Sequence, residues 1–143
     1  MIVMQKKLYT ATVHVEGGRE GRAVSNDGIL DVTLKVPKEL GGPGGNGTNP
    51  EQLFAAGFAA CFEGALGVAL RKKKLKAEGI KINSQVSLGK DEHDGFVLAV
   101  VLDITINGME SNVAKELVEE AHEICPYYRA VRGNIQVETN LVG

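Results

Sequence analysis

Two cysteines, Cys61 and Cys125, carry the most chemical potential in this chain. A thiol is a nucleophile only as its thiolate, so a reactive cysteine needs something that lowers its pKa. Helix N-termini do this, but Cys61 falls in the middle of an expected helix and needs a cation instead. Arg19, Arg22, Arg71 and Arg132 are candidates, and Glu51 can hold an arginine through a bidentate pair. Composition does not choose among them. It also leaves open whether the two cysteines are redox groups or ordinary buried residues. His122 lies three before Cys125, which raises the question of a metal. With only His14 and His93 besides, the chain offers too few ligands for a typical Cys/His site, and no metal is expected.

Cys61 is positioned by the run Leu53 to Leu70, which contains one charge, Glu63. Asn49 suits a helix N-cap and Pro50 the first helical position, with Gln52 in a capping-box place and Glu51 at the positive end of the dipole. The basic cluster Arg71 to Lys74, followed by Gly79, suits the far end. The spacing predicts a helix from Pro50 to about Lys74. A helix apolar all round is expected to be buried on every side. Its length reaches the lower limit for a bilayer span. The central Glu63 argues instead for a core helix, because an ionised group there costs several kcal/mol. Gly57, Ala60, Gly64 and Val68 fall on one side, which suits close approach of another helix.

The remaining elements follow from alternation and turn signals. Leu8 to Val15 alternates as a half-buried strand. Ala23 to Ser25 suits a short strand, Asn26-Asp27-Gly28 a hairpin turn, and Leu30 to Val36 the clearest strand. Pro37 to Gly47 reads as a flexible, glycine-rich connection; it lacks the spacing of a phosphate-binding loop, so no nucleotide is expected. Ile80 to Leu88 and Phe96 to Ile106 make a second hairpin. Ser111 to Ile124 is an amphipathic helix, which Cys125-Pro126 stops or extends into a new turn. Ile135 to Leu141 is the last strand. The order βββ-α-ββ-α-β indicates an α+β fold rather than a doubly wound parallel sheet. A length of 143 residues suits a single domain, 1–143, and 43% hydrophobic with 24% charged residues suits a globular one. A net charge of −2 gives no reason to expect nucleic acid. The N-terminal residues do not read as an export signal, so a cytoplasmic, reducing environment with no membrane partner is expected.

The run Asn49-Pro50-Glu51-Gln52-Leu53-Phe54-Ala55-Ala56-Gly57-Phe58-Ala59-Ala60-Cys61-Phe62 resembles the active-site helix of the organic hydroperoxide resistance proteins, in the superfamily of osmotically inducible protein C. Cys125-Pro126-Tyr127 with Arg132-Gly133-Asn134-Ile135 resembles that family's second cysteine motif. Gly17-Gly18-Arg19-Glu20-Gly21-Arg22-Ala23 and Leu40-Gly41-Gly42 are also similar to it. The departures are Phe58, where tyrosine is common, and Tyr128-Arg129, where smaller or more polar residues often follow.

The resemblance implies antiparallel sheets wrapped around a long central helix and a second amphipathic helix, in an intertwined homodimer. It implies that Cys61 is the peroxidatic cysteine and Cys125 the resolving one, joined by a disulfide during turnover. Arg19 would keep Cys61 ionised, with Glu51 orienting Arg19. The substrate would be an organic hydroperoxide, and Phe54, Phe58 and Phe62 are candidates for lining its pocket. No bound cofactor is implied; the reductant would be a dihydrolipoyl group on a lipoylated protein. A peroxidase of the osmotically inducible type and a non-enzymatic thiol sensor are the alternatives on the same fold. Glu51 and Cys61 are ten residues apart, so a straight helix separates their backbones by about 15 Å. Either the first turn leaves the helix, or two subunits contribute to one site.

Overall fold

The computed structural model describes all 143 residues, Met1–Gly143. They divide into two compact units, Met1–Pro50 and Glu51–Gly143.

The first unit is a three-stranded antiparallel meander of β1 (Val13–Glu16), β2 (Arg22–Ser25) and β3 (Asp31–Thr33), in the order β1-β2-β3. The turn between β2 and β3 closes through Gly28 N–H to Ser25 O and Ser25 N–H to Leu30 O. Gly28 has φ +75°, which is why this turn uses glycine. Arg22 and Asp31 clamp β2 to β3 by two hydrogen bonds of 2.7 and 2.6 Å.

Three expectations are corrected in this unit. The first strand begins only at Val13, and all four of its residues are exposed rather than half-buried. Leu8 and Tyr9, ahead of it, are 86% and 81% exposed. The third strand is three residues long, because after Thr33 the backbone changes partners. Leu34 N–H donates to Gly21 O and Lys35 N–H to Thr48 O. The glycine-rich connection is mostly exposed but is tied down by backbone hydrogen bonds rather than loose. Gly44 N–H donates to Val36 O at 3.0 Å. A Cβ on Gly42 would lie 2.3 Å from the same oxygen, so only glycine permits that approach.

The second unit carries both thiols. Its elements are α1 (Pro50–Lys72), β4 (Gly79–Lys90), β5 (Phe96–Asn107), α2 (Ser111–Ile124), α3 (Pro126–Val131) and β6 (Gln136–Leu141). β4 and β5 form a twelve-residue antiparallel hairpin with Ile82 opposite Ile104 and Val86 opposite Val100. β6 joins β5 in parallel, pairing Val137 with Val100 and Leu141 with Ile104. The fold is therefore α+β with two small sheets and a long helix, as expected, but the second sheet is mixed rather than antiparallel. A parallel partner cannot be reached by a tight turn. α2 and α3 supply the crossover from β5 to β6, and Cys125 lies at the joint between them.

The core packs β5 against the two long helices. β5 contributes Val100, Leu102, Ile104 and Ile106; α2 contributes Ala114, Leu117, Val118 and Ala121; α1 contributes Phe58, Phe62, Ala65, Leu66, Ala69 and Leu70. α1 is long and apolar enough to cross a membrane by length and composition, yet this face lies in a core of sheet and helix. Burial is one-sided, however. Ala56, Ala60, Glu63 and Gly64 form an exposed stripe on α1, so the expectation of burial on every side does not hold within one chain. Phe62 is fully buried, and Phe62→Ala is expected to destabilise the protein by about 3–5 kcal/mol through lost burial and a residual cavity. Denaturant unfolding measures this; a loss below about 1 kcal/mol would mean the site collapses around the missing ring.

Candidate active site

The middle of α1 and the α2–α3 joint bring Cys61 and Cys125 together. Their sulfurs are 3.4 Å apart and unbonded, with the Cys125 thiol donating to Cys61 Sγ. A disulfide needs about 2.05 Å, so a modest side-chain movement separates this pair from a bond. The two cysteines are 64 positions apart in sequence.

The two thiols differ in surroundings. Cys61 is half-buried, whereas Cys125 is fully buried. Burial, with smaller contributions from the neighbouring Cys61, pushes the Cys125 thiol up to about 11, and N–H donors from Tyr128 and Tyr127 offset part of this. Cys125 caps α3: its sulfur accepts from Tyr128 N–H at 3.4 Å, and Pro126 occupies the first helical turn. The helix break at Cys125-Pro126 is thus also the beginning of a new helix. Because the raised pKa depletes the thiolate at neutral pH, iodoacetamide at pH 8 is expected to label Cys61 well before Cys125. Modification of Cys125 should accelerate as the pH approaches 11. Peptide mass spectrometry reads both sites, and equal labelling at pH 8 would contradict this asymmetry.

Two aromatic groups flank the sulfurs. Phe54, Phe58 and Tyr127 form a triangle with ring centroids 5.8–6.2 Å apart. Gly57 makes room for it: a Cβ there would lie 2.9 Å from the Tyr127 hydroxyl. Tyr127 is 41% exposed and Phe54 half-buried, so these two rings meet solvent, while Phe58 is sealed behind them. Phe62 is equally sealed and packs on His122 and Tyr128. Within one chain, Phe58 and Phe62 thus serve as core rather than as an open pocket wall. Tyr127 has the exposed position that the sequence reading did not single out; its place beside Cys125-Pro126 was the available signal.

Of the four candidate cations, Arg22 is committed to Asp31 and Arg132 to Glu123, at 3.0 Å. Arg71 is exposed in the last turn of α1. Arg19 sits in a single 3₁₀ turn, Gly18–Glu20, of the first unit and is exposed. Glu51 is half-buried in the first turn of α1. α1 is helical without interruption from Pro50 through Cys61. Of the two arrangements considered for Glu51 and Cys61, departure of the first turn from the helix is therefore absent. No group of three His, Cys, Asp or Glu side chains is placed to hold a metal ion.

Residues 41–140 match the family model of OsmC-like proteins, a span that includes both thiols. The organic hydroperoxide resistance protein of Xanthomonas axonopodis pv. citri (strain 306) is 51% identical over 138 residues, covering 96% of each chain. OhrB, an organic hydroperoxide resistance protein of Bacillus subtilis (strain 168), is 46% identical over 135 residues, covering 94% of this chain and 98% of its own. Among solved structures, an organic hydroperoxide resistance protein from Legionella pneumophila superposes with a TM-score of 0.91 at 46% identity, covering 96% of this chain and 100% of that one. The chain belongs to the OsmC-like family, among its organic hydroperoxide resistance proteins.

Proposed function

We propose that this protein is a thiol peroxidase that reduces organic hydroperoxides to alcohols. One observation carries the reading: a reachable sulfur and a buried one stand 3.4 Å apart in a chain whose relatives are named for organic hydroperoxide resistance. The Cys61 thiolate attacks the terminal peroxide oxygen, the O–O bond breaks, and the alcohol leaves with a proton. Cys61 is left as sulfenic acid. The Cys125 sulfur then attacks the Cys61 sulfur; the S–S bond forms, the S–O bond breaks, and hydroxide leaves with the Cys125 proton as water. A dithiol restores both thiols by exchange, and a dihydrolipoyl group on a protein is the proposed donor.

Arg19 is the proposed cation for Cys61, oriented by Glu51. The roughly 15 Å of continuous helix between Glu51 and Cys61 favours a site shared by two subunits of a homodimer. Open apolar surface supports such pairing: Ile2, Val3, Leu8 and Tyr9 in one unit, and the Ala56, Ala60 and Gly64 stripe in the other. Arg19→Ala and Cys61→Ser proteins, each inactive alone, are expected to regain activity when unfolded and refolded together. No regain would place the whole site within one chain.

Steady-state turnover tests the main reading. With dihydrolipoamide as reductant, a fatty-acid hydroperoxide should be consumed over many cycles and faster than hydrogen peroxide. A single oxidation without turnover would make the protein a sensor, and equal or better rates with hydrogen peroxide would remove the organic preference.

A further inference from the structure

His122 has no part in the chemistry above, yet it ties its own helix to three other elements. It lies on α2, three residues before Cys125. Its ring stacks flat on Tyr128 of α3, with centroids 4.2 Å apart and planes within 13°. It also leans on Phe62 of α1 at 5.7 Å, the residue that follows Cys61. Its Nε2 hydrogen-bonds Thr139 Oγ1 of β6 at 3.0 Å. The stack, the Phe62 contact and the hydrogen bond together orient the imidazole.

Tyr128 links this ring to the thiols. Its backbone N–H donates to Cys125 Sγ at 3.4 Å, in the first turn of α3. The N–H groups of Tyr128 and Tyr127 are the backbone donors to the Cys125 sulfur, and they do not depend on the state of Cys61. With the Tyr128 ring clamped against His122, the backbone that carries its N–H cannot shift far without pulling the ring out of its stack.

We propose that His122 is a positioning residue for the resolving step, holding the Cys125 sulfur on line for the Cys61 sulfenic acid by stacking on Tyr128. The inference rests on the peroxidase reading and deepens it. The step it assists is the one balanced above: Cys125 loses its proton, Cys61 loses hydroxide, and water leaves. Attack on peroxide, which occurs at Cys61 before Cys125 bonds to anything, does not depend on the stack.

Single-turnover kinetics with cumene hydroperoxide separates the two steps, using mass spectrometry of quenched samples to count sulfenic acid, disulfide and sulfinic acid. In His122→Ala, sulfenic acid should form within about twofold of the wild-type rate, while disulfide formation slows at least about tenfold, as misplacement of a reacting group does. With excess peroxide, sulfinic acid at Cys61 should then accumulate. His122→Phe keeps a flat ring and should recover most of the lost rate; Thr139→Val, which removes only the hydrogen bond, should lie between it and wild type. A cavity of about 390 Å³ lined by His122, Glu119 and Thr139 opens beside the ring, so free imidazole should partly rescue His122→Ala. Wild-type resolution in His122→Ala, or His122→Phe as slow as His122→Ala, overturns the proposal. If His122→Ala does not fold, the comparison of His122→Phe with His122→Asn decides, since only the first retains a stacking ring of similar size. Wild-type protein that forms no Cys61–Cys125 disulfide sinks the peroxidase reading itself; a normal wild-type disulfide with unaffected variants removes only the role of His122.

Discussion

Cys61→Ser is expected to abolish peroxide reduction, with kcat/KM falling by at least about 10³-fold, the scale on which losing a nucleophile acts. A serine hydroxyl is a poor nucleophile at neutral pH and does not form a sulfenic acid. The remaining thiol does not substitute for it. Cys125 is fully buried and holds its proton to about pH 11, so peroxide meets neither an accessible nor an ionised sulfur there. The fold should survive, because Cys61 packs at the margin of the core and not in it. Peroxide consumption followed by a ferrous xylenol orange assay, alongside far-UV circular dichroism, checks both halves. Wild-type consumption by the serine variant would remove Cys61 from the mechanism.

The second large effect is expected from Cys125→Ser, and it differs in kind. The first encounter with peroxide should proceed, since Cys61 is untouched, and one equivalent should be consumed. Turnover with dihydrolipoamide should then fall by about two orders of magnitude, because the intramolecular partner is lost and only a bimolecular route to reduction remains. Excess peroxide should drive Cys61 on to sulfinic acid, which thiols do not reverse. Intact-protein mass spectrometry should show a gain of two oxygens where wild type shows the loss of two hydrogens. Full turnover by the serine variant would deny Cys125 its resolving role. The two variants together locate the asymmetry between the sulfurs: one fails at the first step, the other at the second.

Much of the second unit was legible in the sequence because its signals were local. Val113, Leu117, Val118 and Ala121 recur at helical spacing, and α2 spans Ser111–Ile124 as the pattern required. The alternation around Ile82 and Ile104 marked the long hairpin. What escaped was set by partners far away in the chain. The alternation of Leu30 to Val36 promised a long strand, but β3 ends at Thr33 because Leu34 and Lys35 turn to Gly21 and Thr48. Alternation records which faces are apolar; it does not record which backbone lies alongside. The parallel pairing of β6 with β5 is hidden for the same reason. Val13 and Val15 alternate with polar neighbours as if half-buried, yet they are 42% and 51% exposed.

At the site, motif and geometry contributed different parts. The spacing of Cys61 and Cys125 carried no information about their distance, since they are 64 positions apart; the family resemblance paired them, and the structure puts their sulfurs in contact. The three phenylalanines of α1 were indistinguishable as letters. A helix turn separates the half-exposed Phe54 from the sealed Phe58 and Phe62, because the latter two face β5 and α2 in the core. Tyr127 escaped notice because its position depends on a missing side chain, that of Gly57, on another element.

The crossover from β5 to β6 has a consequence for the order of events during synthesis. Cys125, the proposed resolving residue, lies in the crossover ahead of β6, and ribosomes deliver the N-terminal portion of a chain first. A nascent chain that has completed α1 already displays its first sulfur, while the strand that closes the arch around its counterpart has yet to emerge. Under the proposed mechanism, oxidation in that interval finds a nucleophile without its built-in rescuer. The growing chain therefore passes through a window of vulnerability that closes when the last strand zips alongside β5, and cells under peroxide stress should lose newly made copies before finished ones.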